Sequence, residues 1–260
     1  MDVILIDANA KKEEKHFIIR KKKKEERREP ITVCYTLRDI NKQLVKAWQD
    51  IFAPHQHVVI SEGDIFKDAP ATDAIVSPAN SFGFMDGGIE LAYSRHFGLQ
   101  LMSRLQDAID TDKDGELLVG DALILSTHEH VFGKTEQSSW QGYNQDIPIK
   151  YLISAPTMRV PMDVSNTMNA YLAFRAVILK VNKHNKNPDN DPIRSVLCPG
   201  LATSFGNMEP RQCALQMKYA YEIYELGLHK NLRHPESLGE VWEKQLALSS
   251  IGGKSDQIQI

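Results

Sequence analysis

The chain has 260 residues, 42% of them hydrophobic and 25% charged, with a formal net charge of -3. That composition and length suit a globular domain that buries its core without disulfides, and the charge excludes a surface that is basic throughout and binds polyanions on every side. Cys34, Cys198 and Cys213 are odd in number and widely spaced, which excludes a disulfide framework or a C-x-x-C zinc site and points to a reducing compartment, the cytoplasm.

Val3-Ile4-Leu5-Ile6 sits between Asp2 and Asp7. It is too short for a signal peptide and has no basic start. Apolar runs stay well below the ~20 residues that span a bilayer, so no membrane partner is expected. Residues 11–28 are dense in Lys, Arg and Glu. They read as a solvated charged segment, or as a basic arm for nucleic acid built on Arg20 to Lys24.

Pro30 closes that extension. Ile31 to Leu37 is β-branched and aromatic and predicts a strand. Asp39 is placed to cap a helix over 41–52, with Leu44, Val45, Trp48 and Phe52 on one face. His57 to Ile60 and Ala74 to Val76 predict strands, the second apolar throughout as a strand covered on both faces would be. A glycine-bearing loop follows, then one helix through Ile89, Leu91, Leu101 and Leu105. Asp121 to Leu125 and Lys150 to Ala155 predict strands, with 128–146 between them as an exposed hairpin loop. Asn166 to Val181 predicts a helix, Lys183 to Pro192 a polar connector, Arg194 to Cys198 a buried strand and Glu209 to Leu226 a helix. A last helix runs over 236–248, with a frayed tail from Ser249. The alternation of strands and helices predicts an α/β fold with a mixed, largely parallel sheet between helical layers.

In such sheets ligands sit where loops leave the carboxyl ends of the strands. Two loops stand out. The first runs from Ser77 through Asn80 to Asp86-Gly87-Gly88-Ile89-Glu90. The second is Pro199-Gly200-Leu201-Ala202-Thr203-Ser204-Phe205-Gly206. Each joins a strand to a helix with small residues that allow close backbone approach, a geometry suited to phosphate. A plain tight turn accounts for either loop taken singly; the pair predicts a diphosphate cleft.

An ordered set of segments resembles the macro-domain family. Gly63-Asp64-Ile65 resembles its opening Gly-Asp-Ile. Asp73 to Asn80 resembles Asp-Ala-Ile-Val-Asn-Ala-Ala-Asn, and Gly87 to Glu90 stands for the Gly-Gly-Val-Asp that follows. Gly120-Asp121-Ala122, Pro148 to Ile153 and the 199–206 loop are similar to later landmarks, so the resemblance runs from 31 to 227. It is similar in particular to a bacterial-type variant with Ser-Pro-Ala-Asn in the first ligand loop. The resemblance implies a three-layer α/β/α macro-domain fold over 31–230, flanked by the 1–30 extension and a C-terminal helix and tail over 231–260. It also implies a cleft for ADP-ribose, free or on an ADP-ribosylated macromolecule. Asp64 then accepts from the adenine amine, with Ile65 beside it. Asn80 meets the distal ribose, and Gly87, Gly88 and Ile89 cover the diphosphate. Thr203, Ser204, Phe205 and Gly206 form the second phosphate loop. The sequence departs from the family where Ser77 replaces its first Asn and Glu90 replaces an Asp used by de-ADP-ribosylating members. The second loop is also one residue shorter, and no strand is evident after Leu226, where Met1 to Ile6 offers an alternative edge strand.

Two functions stand side by side. In one, Glu90 and Asn80 are catalytic and an ADP-ribosyl hydrolase results; Glu90 reaches ~1.5 Å farther than Asp would. In the other, the cleft is a non-catalytic reader and Glu90 only complements the helix N-terminus. Nucleic-acid binding through the arm is a third reading. No metal or cofactor is expected. His128 and His130 lack a third ligand nearby, and Asp112 to Glu116 lacks the last ligand of a calcium loop. Arg159 and Asp163 are read as rim residues of the cleft or as partners of each other.

Overall fold

The computed structural model describes residues 31–78, 80–127, 144–229 and 233–249. The 11–28 arm, the Met1 to Ile6 strand and the His128/His130 pair lie outside them. Among the described residues, six strands form one sheet: β1 (Cys34–Asp39), β2 (Val58–Glu62), β3 (Ala74–Ser77), β4 (Leu123–Ser126), β5 (Tyr151–Ser154) and β6 (Ser195–Cys198). Their spatial order is β2-β1-β6-β3-β5-β4. Every pairing is parallel except β4 with β5. This is the predicted mixed, largely parallel α/β sheet.

Helices cover both faces. Ala74, Val76, Ile153, Val196 and Cys198 join Tyr35 and Leu37 in a core under α1 (Lys42–Phe52), α4 (Asn169–Lys186) and α5 (Pro210–Tyr224). Ile75, Leu152 and Leu197, each one residue out of phase, join the opposite core under α2 (Gly88–Phe97) and α3 (Leu99–Lys113). Successive strand side chains point to opposite faces, so a strand apolar at every position is the expected outcome of a sheet between two cores. A last helix, α6 (Leu238–Ser249), docks on α5 through Leu248, whose carbonyl accepts from the Gln216 side chain at 2.9 Å. None of the helices among the described residues is long and apolar enough to cross a membrane.

Several local expectations are corrected. The helix read as continuous from Ile89 to Leu105 breaks at Gly98, whose φ of 86° ends α2 and starts α3. The cap of α1 is Asn41, accepting from the Gln43 and Leu44 amides; Asp39 instead bonds the Asn41 amide and, across the sheet, the Gly200 amide. The connector after Val181 stays helical to Lys186, because buried Asn185 pairs with both backbone groups of Ile193 and holds the last turn to the start of β6. At the end of the hairpin loop Asn144 is buried rather than exposed, its carboxamide bonding both backbone groups of Thr72.

Candidate functional site

Three loops leave the carboxyl ends of β3, β5 and β6 and enclose a cleft of about 160 Å³. A dry cavity of roughly 150 Å³ holds a benzene ring. The enclosed part therefore takes one ring or a phosphate group, and a longer ligand continues into the open groove. The lining includes Asn80, Asp86 and Gly87 to Glu90 from the first loop, Thr157, Met158 and Pro161 from the loop after β5, and Thr203 to Gly206 from the second glycine loop. All the sequence-predicted residues of the two phosphate loops are thus brought together.

The first loop is shaped by side chains. The Asn80 carboxamide accepts from the Phe82 amide at 3.0 Å and the Phe84 amide at 3.3 Å, and donates to the Phe84 carbonyl at 2.9 Å. The Ser94 hydroxyl, in the second turn of α2, donates to the Met85 carbonyl at 2.5 Å. The chain then enters α2 through Gly87, which has no side chain to cap the helix. The first-turn amides, and the positive end of the helix dipole, are therefore left for the cleft. Gly88 has φ 56°, and a Cβ there would stand 3.1 Å from the Phe205 ring. Phe205, 61% exposed, lies across from the helix start and brings the two loops together.

The second loop is shaped by backbone. Ala202 turns with φ 63°, its carbonyl accepts from the Met208 amide at 3.0 Å, and the Gly206 carbonyl accepts from the Val164 amide at 3.0 Å. A Cβ at Gly206 would lie 2.5 Å from the Ala202 oxygen, so only glycine fits the turn as it stands.

Glu90, on the first turn of α2, is 8% exposed. Its Oε2 accepts from the Ser77 hydroxyl at 2.7 Å, while Oε1 is buried without a partner among the described residues. Burial pushes this carboxyl up to about 7, and the Ser77 bond opposes the rise. The other charged lining residue is Asp86, also acidic; no Lys or Arg lines the cleft among the described residues. An anion here would be met by amides and hydroxyls.

Asp64 and Ile65 are not part of this lining. Asp64 follows β2, at the same carboxyl edge of the sheet, and its Oδ1 accepts from the Phe66 and Lys67 amides at 2.9 and 3.0 Å. Ile65 is buried in the core under α2 and α3. Arg38, 5% exposed, holds this turn: it donates to the Asp64 carbonyl at 2.7 Å, the Lys67 carbonyl at 2.9 Å and the Ser61 hydroxyl. Sequence reasoning missed Arg38, and it missed the lining role of Thr157, Met158 and Pro161, since no glycine pattern flags that loop. Arg159 and Asp163 do not pair with each other. Arg159 forks onto Glu116 at 2.7 and 3.2 Å, and Asp163 binds Ser165 and Asn207. Asp114 and Gly115 close α3 with positive φ, so the 112–116 stretch is a helix end. No metal-ligand cluster occurs among the described residues.

No family model and no curated protein matches the chain. Among solved structures, it is similar to the macrodomain of Mycobacterium tuberculosis DarG, with 22% identity over 62% of this chain and 86% of that one and a TM-score of 0.45. It is similar to Thermosipho africanus DarTG in complex with ADP-ribose, with 17% identity over 61% of this chain and 36% of that one and a TM-score of 0.43. An Oceanobacillus iheyensis macrodomain with ADP gives 18% identity over 66% and 90% and a TM-score of 0.42.

Proposed function

We propose that this chain is a macro domain whose cleft binds ADP-ribose, free or attached to a macromolecule. The observation that carries the reading is the convergence of two loops, from the neighbouring parallel strands β3 and β6, on the uncapped start of α2. A helix N-terminus presents roughly half a positive charge and several amides, which suits phosphate. Thr203 and Ser204 face it with neutral hydroxyls. Because the charged lining side chains are acidic, the cleft favours a phosphate with one charge over a terminal phosphate with two. A diphosphate esterified at both ends, as in ADP-ribose, meets that condition.

Asp64 takes the adenine amine in this reading. It lies at the end of β2, three strand spacings from β3. At about 4.8 Å per spacing that is ~14 Å, a span for a dinucleotide-sized ligand. Asn80, besides holding its loop, meets the distal ribose.

Hydrolysis is favoured over simple reading by one feature: a surface acid that merely complemented the helix dipole would not need burial, yet Glu90 is buried with one unbonded oxygen. As a carboxylate it accepts the proton of a water whose oxygen bonds the anomeric carbon of the distal ribose. The bond from that carbon to the leaving carboxylate breaks, and its electron pair leaves with the carboxylate. Calorimetry with ADP-ribose tests the binding. Micromolar affinity, weakened about tenfold or more in both Asp64→Ala and Asn80→Ala, is the expected result, a loss of about 1.4 kcal/mol each. Absence of binding by the wild-type protein overturns the reading. Release of ADP-ribose from an ester-linked substrate, abolished in Glu90→Gln with binding retained, separates hydrolase from reader.

A further inference from the structure

Two of the positions at which the first loop departs from the family pattern, Ser77 and Glu90, form one unit. Ser77 ends β3 and, two residues beyond Ile75, faces the same side of the sheet, toward α2. It is fully buried, and its hydroxyl donates to Glu90 Oε2 at 2.7 Å across a sequence separation of 13 residues. A serine is shorter than an asparagine by about as much as a glutamate is longer than an aspartate. A short residue on the strand is thus matched by a long one on the helix.

We propose that Ser77 is a positioning residue, which pins one carboxylate oxygen of Glu90 and so holds the group in one orientation and in its charged form at the wall of the cleft. The inference rests on the reading of Glu90 as the working acid of the cleft. A hydroxyl that donates to a carboxylate favours the ionised form, and Glu90 needs such help because burial opposes its charge. The groups around it give little. The Tyr93 phenol, one turn on in α2, is spent on the Val76 carbonyl at 2.7 Å and is held neutral by burial, as is the Cys198 thiol of β6. Asp86 shares the cleft lining, and Asp39 and Asp64 stand farther off near Tyr93; all three are acidic side chains, and none is a cation that would favour the charged form of Glu90.

Carbon-13 NMR titration of the Glu90 carboxyl in the full chain tests this without requiring turnover. In Ser77→Ala the midpoint is expected to move up by about one pH unit. Ser77→Thr, which keeps a hydroxyl, restores it, and Ser77→Cys, a weak donor, falls between. Ser154 is the register partner of Ser77 on β5, fully buried, with a hydroxyl that has no hydrogen-bonded partner among the described residues; Ser154→Ala controls for lost packing and is expected to leave the midpoint in place. In a hydrolase the pH–kcat limb of Ser77→Ala moves with the carboxyl while KM holds. An unmoved midpoint in Ser77→Ala and Ser77→Cys, or an equal move in Ser154→Ala, overturns the proposal. Failure of the wild type to bind ADP-ribose would refute the function proposed above and leave this titration to decide the role of Ser77. If Ser77→Ala does not fold, the ordering of Thr above Cys in donor strength still decides it.

Discussion

The two glycine loops reach the same cleft by different means. The loop after β3 is held by side chains, Asn80 over residues 82–84 and Ser94 on Met85, and its Gly87 faces open space: a Cβ added there would meet nothing within 4 Å. The loop after β6 is held mainly by backbone bonds and by glycines packed against their surroundings, with the Asp39 carboxylate accepting from the Gly200 amide at its start. Besides the Gly206 contact, a Cβ at Gly200 would lie 2.5 Å from Leu44 and from the Thr203 hydroxyl. Gly87 in the first loop therefore leaves room for what approaches it, whereas Gly200 and Gly206 in the second are required by how the loop folds.

The sharpest break of that comparison is Gly206→Ala. The nearest obstacle is the Ala202 carbonyl, which cannot rotate away, so stability should fall by ~3 kcal/mol, at the upper end for overpacking, read as a lowered Tm. An unchanged Tm would show that the second loop is as pliant as the first.

Next comes the acid on the first loop. The folded-state pKa of Glu90 stands at about 7, above the 4.5 of an ordinary glutamate. Between those values the folded chain keeps a proton that the unfolded chain has released. Glu90 therefore contributes a stability that is lost as pH rises from 4.5 through 7, and above 7 the full cost is present. At ~1.4 kcal/mol per pH unit this is of order 3 kcal/mol. Glu90→Gln should be more stable than wild type at about pH 8, by ~2 kcal/mol after a packing cost of ~1 kcal/mol, and less stable by that ~1 kcal/mol near about pH 4, where the wild-type carboxyl is protonated in both states. Urea melts at both pH values measure this. A variant less stable at the higher pH would mean that the buried carboxylate is better satisfied than its single Ser77 bond indicates.

Asn80→Ala removes three bonds from a partly buried loop side chain and should cost ~1–2 kcal/mol, with faster amide exchange at residues 82–84. The smallest effect on stability is expected from Gly87→Ala. The site is open and its φ is -142°, so the change should stay within ~0.5 kcal/mol. If the diphosphate lies against this backbone, affinity for ADP-ribose should nonetheless fall about tenfold. Loss of binding with an unmoved Tm would set the two loops apart as ligand-facing and fold-bearing; equal affinity would remove Gly87 from the contact.

Local pattern carried much of this protein. Apolar strands such as Ala74 to Val76, the Leu44-Val45-Trp48-Phe52 face of α1, and the strand–glycine–helix order of both cleft loops were legible because each is a short-range periodicity or a backbone requirement. Tertiary structure decided what depends on strand order. The sequence β2-β1-β6-β3-β5-β4 sets β6 beside β1 and lets Asp39 bond Gly200 across 161 positions. It lets Arg38 reach the turn at Asp64, and it brings Thr157 and Pro161 to a cleft that no glycine announced. The same arrangement turned two separate departures, Ser77 and Glu90, into one hydrogen-bonded pair. Periodicity states which way a side chain faces, but only the packed sheet states what it meets there.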